Sequence, residues 1–158
     1  MRTRLSPCSV LLAALAGCGG AVDHDEALAR VNSTNIERLA NLYFTYQTQN
    51  EWRGPADEAA FKSFIRGYNP QKLTRIGVDA NAIDALFTSE RDGRPFKMRY
   101  GVKGSAMGSS EPVIFESLGV DGSRQVGFLN MTQTLVDEAE YKSLWERGAP
   151  SPNPPRDY

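Results

Sequence analysis

The chain has 158 residues, with 18 Lys and Arg against 19 Asp and Glu, one histidine and a formal net charge of −1. This near balance of mixed charges excludes an electrostatic case for nucleic acid, which needs a basic face to neutralise phosphates. With 41% hydrophobic residues the length suits one domain with a real core. The two cysteines, Cys8 and Cys18, both sit at the start, so the remainder must hold together by packing without disulfides.

In chain order, Arg2 and Arg4 give a positive start, and Val10–Ala16 form a short apolar run ending in small residues. That is the layout of a secretory signal peptide, and the run is shorter than the ~20 apolar residues a spanning helix needs. Leu15-Ala16-Gly17-Cys18 resembles the lipobox of bacterial lipoproteins. The resemblance implies cleavage between Gly17 and Cys18, acylation of the Cys18 thiol, and a protein anchored in the cell envelope by its lipids. Without an aspartate after the cysteine, it resembles the outer-membrane default of diderm bacteria. Expected segments are therefore a signal peptide at 1–17, a lipidated cysteine and tether at 18–25, one domain at 26–147 and a tail at 148–158.

Leu28, Val31, Ile36, Leu39, Leu42, Tyr43 and Tyr46 recur at spacings of three and four, predicting a main helix that starts near 26 or 34 and runs to 48. Thr34 and Glu37 have capping-box spacing. After the break at Gly54, Pro55 is placed to open a second helix, with Asp57 and Glu58 suiting its dipole. Phe61, Phe64, Ile65 and Tyr68 form its apolar stripe. Asn69-Pro70 starts a short turn of helix, and Asp79 can cap another carrying Ile83, Leu86 and Phe87.

After Phe87 the period changes from helical to alternating. Asp92-Gly93 is a turn signal, Pro95–Tyr100 alternates as a half-buried strand, and Gly101–Ser110 reads as a loop. Pro112–Ser117 is a second, more central strand, and Asp121-Gly122 turns into a third at Gln125–Asn130, with Thr134–Val136 as its continuation. Asp137 caps a closing helix whose candidate buried face is Ala139, Tyr141, Leu144 and Trp145. The prolines at 150, 152, 154 and 155 predict an extended tail. The class expected is α+β: a main helix and short helices on a three-stranded antiparallel meander, closed by a C-terminal helix.

Gly93-Arg94-Pro95-Phe96 with Tyr100, and Ser117-Leu118-Gly119-Val120-Asp121-Gly122, resemble the C-terminal half of major pseudopilins of type II secretion. Asn35–Ala40 is similar to a helix segment of pilin-like proteins. The resemblance covers roughly 34–50 and 88–130 and implies a pilin headpiece, a long helix on an antiparallel sheet. Two departures matter: a lipobox stands where pilins carry their polymerising apolar helix, and the calcium ligands are thin. Of the calcium set the resemblance implies, Asp121 is kept, but Ile114 stands where an acidic residue belongs. Calcium takes six to eight oxygens, so neither a metal nor any other cofactor is expected beyond the lipid on Cys18.

Candidate chemistry within the domain is sparse. The lone His24 lies in the tether beside Asp23 and Asp25, so no Ser-His or Cys-His pair and no histidine zinc site can be built in the domain. The nearest carboxylate pairs are Glu90 with Asp92 and Glu111 with Glu116. Asp79-x-Asn81 opens like an EF-hand loop but has Asp84 where its glycine belongs. Gly101, Gly104 and Gly108 lack the Lys-Ser/Thr of a phosphate loop. Phe44 falls off the main apolar stripe and, with Trp52, makes a candidate partner patch. Arg91, Arg94, Lys97 and Arg99 line the first turn and strand and are expected to keep an edge soluble or face anionic lipid. The expected function is non-enzymatic: a lipid-anchored envelope protein displaying its domain to a protein partner, in a secretion or pilus-like system. The alternative is a small-molecule or polysaccharide-handling module, a carboxylate hydrolase among them.

Overall fold

A computed structural model describes residues 32–106 and 108–147. The lipobox with Gly17 and Cys18, the tether with His24, and the tail from residue 148 lie outside the described residues. Helix α1 spans Asn35–Gln49. Residues 32–34 are turn and bend, and the Thr34–Glu37 box marks the start of this helix; the expected start near 26, with Leu28 and Val31, lies outside the described residues. The Glu37 carboxylate accepts from the Thr34 backbone N–H at 2.9 Å and from the Ser33 hydroxyl at 2.8 Å, satisfying donors the first turn leaves free.

Helix α2 spans Glu58–Gly67 and opens three residues later than Pro55 suggested. Asp57 takes the cap instead, its carboxylate accepting from Ala60 N at 2.8 Å. Pro55 is buried in the preceding loop, where its carbonyl accepts from Gly101 N at 2.7 Å. Helix α3 (Pro70–Arg75) is capped as expected, Asn69 Oδ1 accepting from Gln71 N and Lys72 N at 2.9 and 3.2 Å. Helix α4 (Ile83–Leu86) is not capped by Asp79. That carboxylate is already used two residues on, at Asn81 N (2.8 Å), before the helix begins.

The sheet has four strands rather than three: β1 (Lys97–Met98), β2 (Pro112–Phe115), β3 (Arg124–Phe128) and β4 (Gln133–Val136), in that spatial order and antiparallel throughout. The fourth strand is the stretch the sequence reads as a continuation of the third. Met131 takes φ 63°, and bonds between Phe128 N and Thr132 O (2.9 Å) and between Met131 N and Phe128 O (3.0 Å) reverse the chain there. The turn contains no glycine or proline; its local signal is Asn130, whose Oδ1 accepts from Thr132 N (3.2 Å) and Thr132 Oγ1 (2.6 Å). Helix α5 (Glu138–Arg147) closes the fold behind the expected Asp137 cap, which accepts from Glu140 N at 2.8 Å.

The sheet is covered on both faces. On one, α1 crosses β2 and β3, and a Cβ added at Gly127 would lie 2.9 Å from Ile36 Cγ1, so the absent side chain sets the helix–sheet distance. On the far side of α1, the α2–α4 layer packs Phe61 against Tyr43, Tyr46 and Phe87, with ring centroids 5.6, 6.4 and 5.7 Å apart. Phe61 and Ile65 are buried as predicted, whereas Phe64 and Tyr68 are half-buried. On the other sheet face, α5 buries Tyr141 and Leu144 against Phe115, Val126 and Val136. Ala139 and Trp145, also expected inward, are exposed.

Candidate functional site

The C-terminal end of α1 carries the candidate patch. Phe44 and Trp52 come together with ring centroids 6.0 Å apart and planes tilted by 58°. Both rings are half-buried, and neither belongs to the two hydrophobic clusters or to the side chains packed against them. The pairing depends on an unusual backbone: Glu51 and Trp52 lie consecutively in the left-handed region, at φ 52° and 62°. For residues other than glycine this costs roughly 1–2 kcal/mol each, because Cβ crowds the following carbonyl.

The surroundings enforce that conformation. Trp52 N donates to Gln47 O at 2.9 Å and Arg53 N to Asn50 O at 2.9 Å, closing the helix end. The Trp52 carbonyl accepts from Gly104 N at 2.7 Å, and the buried Gln47 side chain donates to Val102 O at 2.8 Å. One loop, at Val102–Gly104 and some fifty residues on, thus clamps the strained turn. Beside it Tyr46, Asn50, Glu51 and Arg53 border an open cleft of about 420 Å³. The composite is aromatic, half-exposed and flanked by both charges.

Within each candidate carboxylate pair the two members are held differently. Glu90 accepts from Asn35 N at 2.7 Å and approaches Arg38 at 3.6 Å, tying the loop after α4 to the start of α1. Asp92 turns elsewhere, accepting from Leu118 N and Gly119 N at 2.9 and 2.8 Å and from Arg94 N at 2.8 Å. Partial burial works to raise its pKa, but those N–H donors and the Ser89 hydroxyl hold it below the usual carboxylate range. Glu111 and Glu116 lie at opposite ends of β2. Glu116 is wholly buried and accepts from Ser89 Oγ (2.6 Å), Arg91 Nη1 (2.6 Å) and Gln125 N (2.8 Å).

The expected basic edge is also corrected. Arg94 and Lys97 are exposed, but Arg91 turns inward to Glu116 and Arg99 is buried. The Arg99 guanidinium lies 4.9 Å from the Phe115 ring and 5.3 Å from the Trp145 ring. It donates to Leu144 O at 2.8 Å, to Trp145 O, and to Pro112 O at 3.2 Å, placing a cation at the carbonyl end of α5. Burial lowers its pKa. An arginine alternating with apolar residues reads locally as a solvent face; its partners are carbonyls up to 46 residues away.

Asp121 sits at φ 51° beside Gly122 at φ 74°, the two central residues of a tight hairpin closed by Val120 N to Ser123 O (2.9 Å) and Ser123 N to Val120 O (3.0 Å). Its side chain is exposed, and among the described residues there is no group of three or more His, Cys, Asp or Glu placed to hold a metal. The two segments that carry the pseudopilin resemblance meet: Asp92 binds the 118–119 backbone, and the Ser117 hydroxyl donates to Pro95 O. Compared with known proteins, the chain matches no family model, no curated protein and no solved structure.

Proposed function

We propose that this chain is a non-enzymatic lipoprotein of the cell envelope, anchored through acylated Cys18, that displays its α+β domain to a protein partner through Phe44 and Trp52. The observation that carries the reading is the clamped left-handed turn at Glu51–Trp52, which spends conformational energy to hold an indole on the surface against Phe44. Strain of this kind persists where a function uses it. A lipid tether confines the domain to the membrane surface and raises its effective concentration near membrane-bound partners. A helix packed on an antiparallel meander, with the 92–96 and 117–119 segments in contact, supports a pseudopilin-like headpiece and hence a secretion or pilus-like partner. That Glu90, Asp92 and Glu116 are each engaged in a separate structural role supports a binding role over hydrolysis.

The test is in-cell crosslinking of the native chain followed by mass spectrometry, beside Cys18→Ser and the pair Phe44→Ala/Trp52→Ala. Cys18→Ser should move the protein out of the membrane fraction, and the aromatic double variant should stay folded and anchored yet lose its captured partner. Retention of Cys18→Ser in membranes refutes the anchor. Unchanged capture by the double variant refutes the patch.

A further inference from the structure

The two edges of the sheet are treated differently. β1 is only two residues long and carries Lys97, the means by which proteins discourage strand addition. β4 has no such protection. From Met131 to Val136 the chain carries no charge and no proline, Leu135 is 56% exposed, and no described strand pairs with the outer side.

The register identifies which backbone groups that outer side offers. Gln125 uses both its main-chain groups toward β2: its carbonyl accepts from Glu116 N at 2.9 Å and its N–H donates to the Glu116 carboxylate at 2.8 Å. Leu135 stands opposite Gln125 across the β3–β4 ladder, so its own N–H and carbonyl point away from β3. Gln133, two residues earlier and opposite Gly127, has the same orientation. The free edge therefore presents two N–H donors and two carbonyl acceptors on alternate residues. Apart from a 3.5 Å approach of the Thr134 hydroxyl to Leu135 O, no described side chain satisfies them.

We infer that β4 pairs antiparallel with β4 of a second copy of this chain, about a two-fold axis at Thr134. In that register Gln133 of each copy faces Leu135 of the other, and the four outward groups of one strand meet the four of its mate with none left over. Thr134 faces Thr134, a favourable cross-strand pair, and no charge meets its own kind. The pairing joins two four-stranded sheets into one of eight. Self-complementarity of hydrogen bonding and the absence of like charges select a second copy over a foreign strand.

The experiment uses the full chain carrying Thr134→Cys, mildly oxidised at micromolar concentration, read on a non-reducing gel and by peptide mass spectrometry. Facing residues at a non-hydrogen-bonded antiparallel position stand at disulfide distance. The expected result is a dimer linked through the two introduced thiols. The unsubstituted chain and Ser143→Cys, exposed on α5, should lack such a link. Adding Leu135→Lys should lower the yield by about tenfold while leaving the circular dichroism spectrum unchanged. No link between introduced thiols, equal yield with Leu135→Lys, or a link to a different protein would each overturn the proposal.

Discussion

Replacing Arg91 by methionine is a direct test of how the loop after α4 is fastened to the sheet. Glu116 has no solvent exposure, and Arg91 Nη1, at 2.6 Å, supplies its cationic partner. Methionine keeps much of the aliphatic stem but leaves the carboxylate with only the Ser89 hydroxyl and the Gln125 N–H. Stranding one member of a buried pair costs about 3–5 kcal/mol, and the 27% exposure of Arg91 places this case at the lower end, about 3 kcal/mol. Against a total stability of about 5–15 kcal/mol that is a large fraction. Urea unfolding should show a lower midpoint at unchanged m-value. The pair Arg91→Met/Glu116→Gln should lose less than the sum of the single variants, because the stranded charge is gone. A change within about 0.5 kcal/mol for Arg91→Met alone would refute the reasoning, placing that carboxylate in contact with water.

Two further perturbations probe packing and charge. Gly127→Ala would drive a methyl to 2.9 Å from Ile36 and 3.4 Å from Ile114 Cβ, and should cost about 1–3 kcal/mol. Gly67→Ala, with open space at the end of α2, should be neutral or slightly stabilising; equal melting temperatures for the two variants would sink the close-contact account. Asp92→Asn removes the charge that the 118–119 N–H groups and Arg94 N face, at an expected loss of about 1–2 kcal/mol at pH 7. Because the Asp92 pKa is lowered on folding, its contribution is present above the unfolded value, about 3.9, and is lost as pH falls through the folded value. Urea midpoints of Asp92→Asn and the unsubstituted chain should therefore converge in strong acid, and a difference independent of pH would contradict it.

Local sequence chemistry specified several caps and turns, though Pro55 and Asp79 took other roles than their positions suggest. Asn69 and Asp137 cap the helices they precede, and Asp121-Gly122 makes a two-residue hairpin because both positions accept left-handed backbone. The Phe61–Ile65 spacing faces the core, since helical periodicity is a property of neighbours a few residues apart. Phe44 and Trp52 are also legible as a pair, though not the backbone that joins them, because the loop near residue 103 holds it from more than fifty positions away.

Polar residues at alternating or turn positions look solvent-exposed in sequence, and tertiary structure alone decides otherwise. Glu116 and Arg91 lie 25 residues apart, and Arg99 finds its carbonyls on a helix formed at the other end of the domain. The fourth strand depended on a turn without glycine or proline, marked locally only by Asn130 and stabilised by the ladder to β3. Composition and spacing set the α+β class and most helix positions, because those follow from backbone periodicity and capping, but not the strand count or the inward face of α5. The buried charges and the open β4 edge are set by contacts between distant segments, where the loss of water converts a surface residue into a fastening.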